Sequence, residues 1–306
     1  LNGTIDTMGI KPFRRPDQAD TTKYLPTFNG GFNQSVTALY SDNNKLIATG
    51  NFRYYVNRRY DQPNRLETRD TVILDSTEIR HVARLNLDGS LDKTYRFNGN
   101  KAFTGANGSI GTVHHSQGSL AGKILVYGTF TKFDDQTAGY ITRLNADGRV
   151  DASFNVGGIG ADYFVNSVTF NEVTRKYLLV GGFKAFNGTA ALRMVLLNED
   201  GTVDASFKAR SFGNGYPAYS KQLNNGLIVV SGGFITYDDV TRNGFMILNA
   251  DGSLSNTLNT TGQFVGYLSK IEETTSEDGK KALLLMGKFS KFDNKDVNNL
   301  TRIILE

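Results

Sequence analysis

Three sets of side chains in this sequence have the types that chemistry uses. The first is Asp134, Asn187, Asp238 and Asp293, each four positions after a recurring Phe (Phe130, Phe183, Phe234 and Phe289), in "KFDDQ", "AFNGT", "TYDDV" and "KFDNK". Their oxygens could ligate calcium, but that ion takes about six to eight oxygens. No copy carries the dense Asp series of an EF-hand or repeat-in-toxin loop. An Asx turn, in which the side chain bonds backbone two residues on, accounts for them with less. The second set is Asp92, Asp151 and Asp204, with Asp6 near the start. An enzyme needs one site, not several copies, so recurrence points to a turn or an inter-repeat hydrogen bond. The third is His81, His114 and His115, the only histidines. Neighbours on a strand point to opposite faces, so the adjacent pair makes a poor metal set.

Acid–base hydrolysis is no better supplied. A glycosidase needs two carboxylates flanking the scissile bond. The candidates are Glu272 and Glu273, read as following a strand, and Asp162, which stands alone before one. No nucleophile elbow or Walker loop appears, and "GGIG" at Gly157 precedes a strand rather than a helix. The chain has no Cys, which removes disulfides, thiolate metal sites and cysteine nucleophiles. No catalytic residue, metal or cofactor is therefore expected. The formal charge of +4 is dispersed and does not argue for nucleic acid. No apolar run approaches the roughly 18 residues of a membrane span.

The elements that hold these residues follow from a repeat. Gly-x-Phe occurs at Gly50, Gly128, Gly181, Gly232 and Gly287, each after an apolar run such as "KILVYG" or "KYLLVG". From Phe130 to Leu144 is 14 positions, and Phe183 to Leu197, Phe234 to Leu248 and Phe289 to Ile303 repeat that spacing. Phe52 to Leu85 is 33, so the first copy carries a 19-residue insertion. A turn then follows: "NLDGS", "NADGR", "NEDGT", "NADGS". A period near 50 is the size of a propeller blade. Consecutive apolar residues read as a strand buried on both faces. Asp-Gly reads as a hairpin turn with both residues at positive φ. The Gly of Gly-x-Phe marks a bulge or a close approach between blades. Each copy thus reads as four strands, a to d, with b ending in Gly-x-Phe.

The expected fold is all-β: one five-bladed β-propeller over 1–306, of four-stranded antiparallel blades. The blades fall near 35–97 (insertion 53–80), 109–155, 165–208, 216–258 and 264–306. The fifth copy stops before its turn, and "LNGTIDT" resembles "LNADGRVDAS", so residues 1–7 are expected to supply the missing outer strand beside 299–305. "QADTTKYLPTFN" offers a second registration, against "NADGRVDASFN".

Strand b with "GGF", then "RLN-x-DG-x-VDASF", resembles the delta-60 repeat, an uncharacterised bacterial β-propeller family. The resemblance covers most of the chain and implies a propeller and an exterior location. It points to the extracellular space or the outer-membrane surface of a Gram-negative bacterium, with any lipoprotein anchor outside this segment. It transfers no catalytic residue. The departures are the insertion, "SLSNTL" in place of "VDASF" in copy four, and the truncated fifth copy.

On a repeating scaffold, specificity resides where the repeat is broken. The insertion joins strands b and c of copy one, at the same end as the d-to-a loops. Tyr55 aligns with Phe133 and reads as structural, whereas Tyr54, Arg58, Arg59 and Tyr60 lie outside the pattern. The d-to-a loops add Tyr163, Phe164, Tyr216 and Phe264. Tyr and Arg suit sugar rings and carboxylates. The expected ligand-binding residues are Tyr54, Arg58, Arg59, Tyr60, Tyr163 and Tyr216, gathered over the mouth of the channel. The expected function is a non-catalytic surface module for a polysaccharide or oligosaccharide, an accessory of nutrient uptake. A scaffold for another surface protein is the alternative, and a glycoside hydrolase or lyase ranks third. Neither nucleic acid nor membrane insertion by this segment is expected, and the chain should be a monomer.

Overall fold

The computed structural model describes residues 3–14, 16–60, 73–259 and 262–305. Four three-stranded antiparallel sheets and a fifth of four strands succeed one another along the chain, each with strands a, b and c side by side in that order; the fifth adds Lys295–Asp296, paired to the end of its strand b. Sheet one is Val36–Asp42, Lys45–Gly50 and Val82–Asn86; sheet two is Ile110–His114, Ile124–Gly128 and Ile141–Leu144. Sheet three is Val165–Asn171, Lys176–Gly181 and Met194–Asn198; sheet four is Pro217–Gln222, Ile228–Gly232 and Phe245–Leu248. Sheet five is Val265–Thr275, Lys281–Phe292 and Leu300–Ile304. The central strands of sheets three and four are buried at every residue except Lys176, as their unbroken apolar runs require. Phe130, Phe183, Phe234 and Phe289 are buried in the clusters beneath them. Neighbouring sheets are stitched along strand a by side chain to backbone bonds. Asn166 Nδ2 donates to Ala218 O, Thr169 Oγ1 to Ser220 O and Lys221 Nζ to Ile271 O.

The fourth strand is a correction. Strand d survives as single bridges, Leu85–Leu91, Leu144–Val150, Leu197–Val203 and Leu248–Leu254. In the first three copies the recurring Asp ends it, and in the fourth Ser255 stands in its place. Asp151 Oδ1 accepts from Ser153 N at 3.0 Å and Ser153 Oγ at 2.6 Å, which turns the chain away from strand c. Its Oδ2 receives Lys123 Nζ at 2.7 Å and Arg143 Nε at 2.8 Å. Asp92 has the same pattern with Lys45, Arg84 and Thr94, and Asp204 with Lys176 and Ser206. Burial alone would raise the carboxyls of Asp92 and Asp151, but these donors hold both well below the usual range. The recurring Asp is a turn and strand-tying residue.

The two turn types are exchanged relative to expectation. At "NLDGS" and its copies only Gly89, Gly148, Gly201 and Gly252 have positive φ, so Asp-Gly closes a three-residue loop rather than a two-residue one. The two-residue turns with both residues at positive φ lie after Gly-x-Phe: Asp134-Asp135, Asn187-Gly188, Asp238-Asp239 and Asp293-Asn294. Each closes a small hairpin between strands b and c. Gly50, Gly181 and Gly232 lie opposite a β-bulge in strand a, and the close approach is within the sheet rather than between blades. A Cβ on Gly50 would lie 2.2 Å from Ser35 O, and one on Gly181 2.3 Å from Phe164 O.

The N-terminus also differs. Residues 3–6 form no strand, and Thr7–Ile10 pairs with Lys23–Pro26, not with 299–305. Thr27 fixes this arrangement by donating its N–H to Asp6 O and its hydroxyl to Asp6 Oδ2. No described strand joins sheet five to sheet one.

Candidate functional site

Each small hairpin is fastened to the loop that leads into strand a of its own repeat. Asn33 Oδ1 accepts the N–H groups of Arg53 and Tyr54, and Asn107 Oδ1 those of Thr131 and Lys132. Asp162 Oδ1 does the same for Lys184 and Ala185, at 2.8 and 3.1 Å. Asp162 is therefore a clamp and not a spare carboxylate. The turn residues add a second fastening. Asp134 takes the N–H of Gly105, and Asn187 that of Gly160. Glu272 and Glu273, which lie inside strand a of sheet five, are also engaged. Glu272 pairs with Lys270 and Lys221, and Glu273 accepts the N–H of Asn224.

The residue before strand c occupies a special place. His81, Tyr140, Arg193, Gly244 and Asn299 all have positive φ, and each carbonyl accepts the N–H of the Gly of Gly-x-Phe. They lie where strand b ends and strands c and a begin, called here the upper end. Backbone geometry is constant there and side chains are not. Each of the first four leans on the loop of the next repeat. Tyr140 meets the Tyr163 ring at 6.2 Å, and Arg193 Nη1 bonds Gly215 O. A Cβ on Gly244 would touch Phe264, and Gly105 lies against His81 Nδ1.

Around these positions the upper end carries a row of rings. Tyr163 and Phe164 are 4.9 Å apart and Phe164 and Tyr216 6.2 Å, so with Tyr140 the row crosses repeats two, three and four. Tyr163 is 55% exposed and Tyr216 49%. Phe264 is buried against Phe245 and Phe289 and serves the core.

The insertion is placed elsewhere. It lengthens the hairpin of repeat one, with Tyr54–Arg59 paired to Ile73–Glu78; residues 61–72 lie outside the described residues. Tyr55 is buried and its hydroxyl bonds Gly89 O, as Tyr237 bonds Gly252 O at 2.7 Å, so its structural reading holds. Arg58 and Arg59 line a groove with Met8, Thr27, Asp75 and Asp88. Tyr60 O accepts Phe13 N at 2.6 Å. Tyr54 pairs with Glu78. That groove contains neither Tyr163 nor Tyr216. The structure thus brings Tyr163 and Tyr216 together and sets Arg58, Arg59 and Tyr60 against the N-terminal hairpin. The hairpin runs outward past the turn at Asp88 because its base follows the same path as the short hairpins.

The histidines part as strand geometry requires. His114 stacks on Tyr40 at 4.5 Å, while His115 bonds the Tyr177 hydroxyl at 2.7 Å in the opposite joint. No helix is long and apolar enough to cross a membrane among the described residues.

Four segments, 76–95, 122–154, 174–207 and 223–257, match the family described as domain of unknown function (DUF5122) beta-propeller. Each runs to the strand-d segment, the last three from strand b and the first from the end of the long hairpin. A search of curated proteins returned no match.

Proposed function

We propose, for a chain built of this β-propeller family's repeats, a five-bladed ring that binds an extended ligand on its upper end without transforming it. The observation that carries the reading is the ring-to-ring row of Tyr140, Tyr163, Phe164 and Tyr216 across three repeats, in which Tyr163 and Tyr216 are about half exposed and Tyr140 and Phe164 are partly buried beside them. Such rings offer flat apolar area with a polar tip, which suits sugar rings. The non-catalytic part is supported by the engagement of Asp92, Asp151, Asp162, Asp204, Glu272 and Glu273 in structural bonds. A location outside the cell goes with this reading. A protein partner on the same row is the second reading, favoured by the openness of Tyr163 and Tyr216. A polysaccharide screen run beside affinity capture from native membranes separates the two.

Ring closure belongs to the same proposal, by a different segment from residues 1–7. A Cβ on Gly89 would touch Thr27 O and Phe28, as one on Gly201 would touch Phe154 and one on Gly252 Phe207. Phe28 thus stands where the strand-d aromatic of a preceding repeat stands, which favours the second registration. Lys23–Phe28 is then the outer strand of blade five, with Tyr24 opposite Ile303 as Val150 is opposite Leu144. Tyr24→Cys with Ile303→Cys, in a chain without other Cys, tests it. An intramolecular disulfide without loss of melting temperature is expected. Free thiols after oxidation, or a disulfide found only between chains, would reject closure.

A further inference from the structure

The upper end has a second feature one repeat along from Tyr140. A recess of about 360 Å³ opens between repeats one and two, lined by Gln34, Asn51, Arg53, Arg80, His81 and Ser109 among others. Arg53 and Arg80 flank the base of the long hairpin, where Ile79 N donates to Arg53 O and His81 N to Phe52 O. No other repeat has this pair. The matching residues are Thr131 and Gly139, Lys184 and Leu192, Ile235 and Asn243, Ser290 and Asn298. Arg80 is bound to Glu78 at 2.7 Å, but no carboxylate lines the recess, and no acidic partner of Arg53 occurs among the described residues. His81 is 7% exposed, yet its Nδ1 has no hydrogen-bond partner. A buried polar nitrogen without a partner costs stability unless something satisfies it.

We propose that this recess is an anion subsite of the binding end, and that it takes the carboxylate of a uronic acid unit in an acidic glycan whose neighbouring rings lie on the tyrosine row. The inference rests on the glycan reading of that row. Arg suits this role because its planar fork bonds a carboxylate at two points and cannot lose its charge. Burial, then Arg80, Arg96 and Arg53, push His81 down to about 4, so it stays neutral at physiological pH. A neutral imidazole can supply an N–H beside the two cations without adding a third charge.

The test compares oligogalacturonate with its methyl-esterified form, titrated at low salt into the wild-type protein and into Arg53→Gln/Arg80→Gln. The wild type is expected to bind the acid at least tenfold more tightly than the ester, and the variant to bind both alike with an unchanged melting temperature. Arg53→Lys/Arg80→Lys should recover part of the preference. Tyr163→Ala/Tyr216→Ala should weaken acid and ester by the same factor. Equal binding of acid and ester by the wild type, or a preference that survives in the Gln variant, overturns the subsite. If neither oligosaccharide binds, the glycan reading fails, and free galacturonate is followed by the imidazole NMR signals of His81. A saturable shift lost in the Gln variant keeps an anion site there, and no shift rejects it.

Discussion

At the scale of single residues, one joint carries a buried charge that its neighbour lacks. Arg96 is fully buried, bonds Asp134 at 2.5 and 3.1 Å and Gly148 O at 2.8 Å, and lies over the Phe133 ring at 4.9 Å. The equivalent joint one repeat along is uncharged, an amide pair between Asn155 and Asn187 at 2.6 Å. Removing one partner strands the other charge, so Asp134→Ala should cost about 3–5 kcal/mol. Arg96→Asn with Asp134→Asn rebuilds the amide pair and should cost well under the sum of the single changes, as read by denaturant unfolding. Histidine sets the pH response. Burial, then nearby arginines, push both His81 and His115 from 6.5 down to about 4. Between those values the unfolded chain takes protons that the folded chain refuses. Their contribution is complete above pH 6.5 and is lost as pH falls toward 4. The melting temperature should fall across that window, and His81→Gln/His115→Gln should flatten the slope. Asp92 and Asp151 act below it, since their carboxyls protonate only at more acid pH.

At the scale of elements, Gly-x-Phe is the anchor. Phe183 packs among Tyr177, Leu179 and Phe186 with no exposed surface, so Phe183→Ala should cost about 3–5 kcal/mol in chemical unfolding. A loss below 1 kcal/mol would show that the joint collapses around the cavity. This anchor was legible because one close backbone approach demands Gly at the same place in each copy. Turn types were less so. Asp-Asp and Asp-Gly both tolerate positive φ, and nothing local says which connection has two residues. Strand d looked longer than it is because "VDASF" alternates like a strand, while its Asp bends the chain. The row before strand c was hidden for the opposite reason. Its geometry is constant, but His81, Tyr140, Arg193, Gly244 and Asn299 share no chemistry. Only the fixed distance of ten residues from each Phe, lengthened by 19 in the first copy, could have revealed it.

At the scale of the molecule, the repeat makes each sheet depend on its neighbours, and the ends of the series bear the cost. Val36 and Leu39 are exposed on sheet one, and Tyr267, Leu300 and Ile304 on sheet five. Closure through Lys23–Phe28 would cover an open edge and bring the two ends of the array together. The upper end would then be one surface, with rings on three repeats and cations on a fourth. The most direct test of that surface starts from the tightest oligosaccharide found in the polysaccharide screen. It is titrated into the wild-type protein and into Tyr163→Ala/Tyr216→Ala, and its length is measured afterwards. The account predicts binding at least about tenfold weaker in the variant, or about 1.4 kcal/mol, with a melting temperature within about 2 °C of wild type, as surface substitutions allow, and an uncut ligand. Equal binding by the two proteins, or a shortened oligosaccharide after incubation with the wild type, would contradict it.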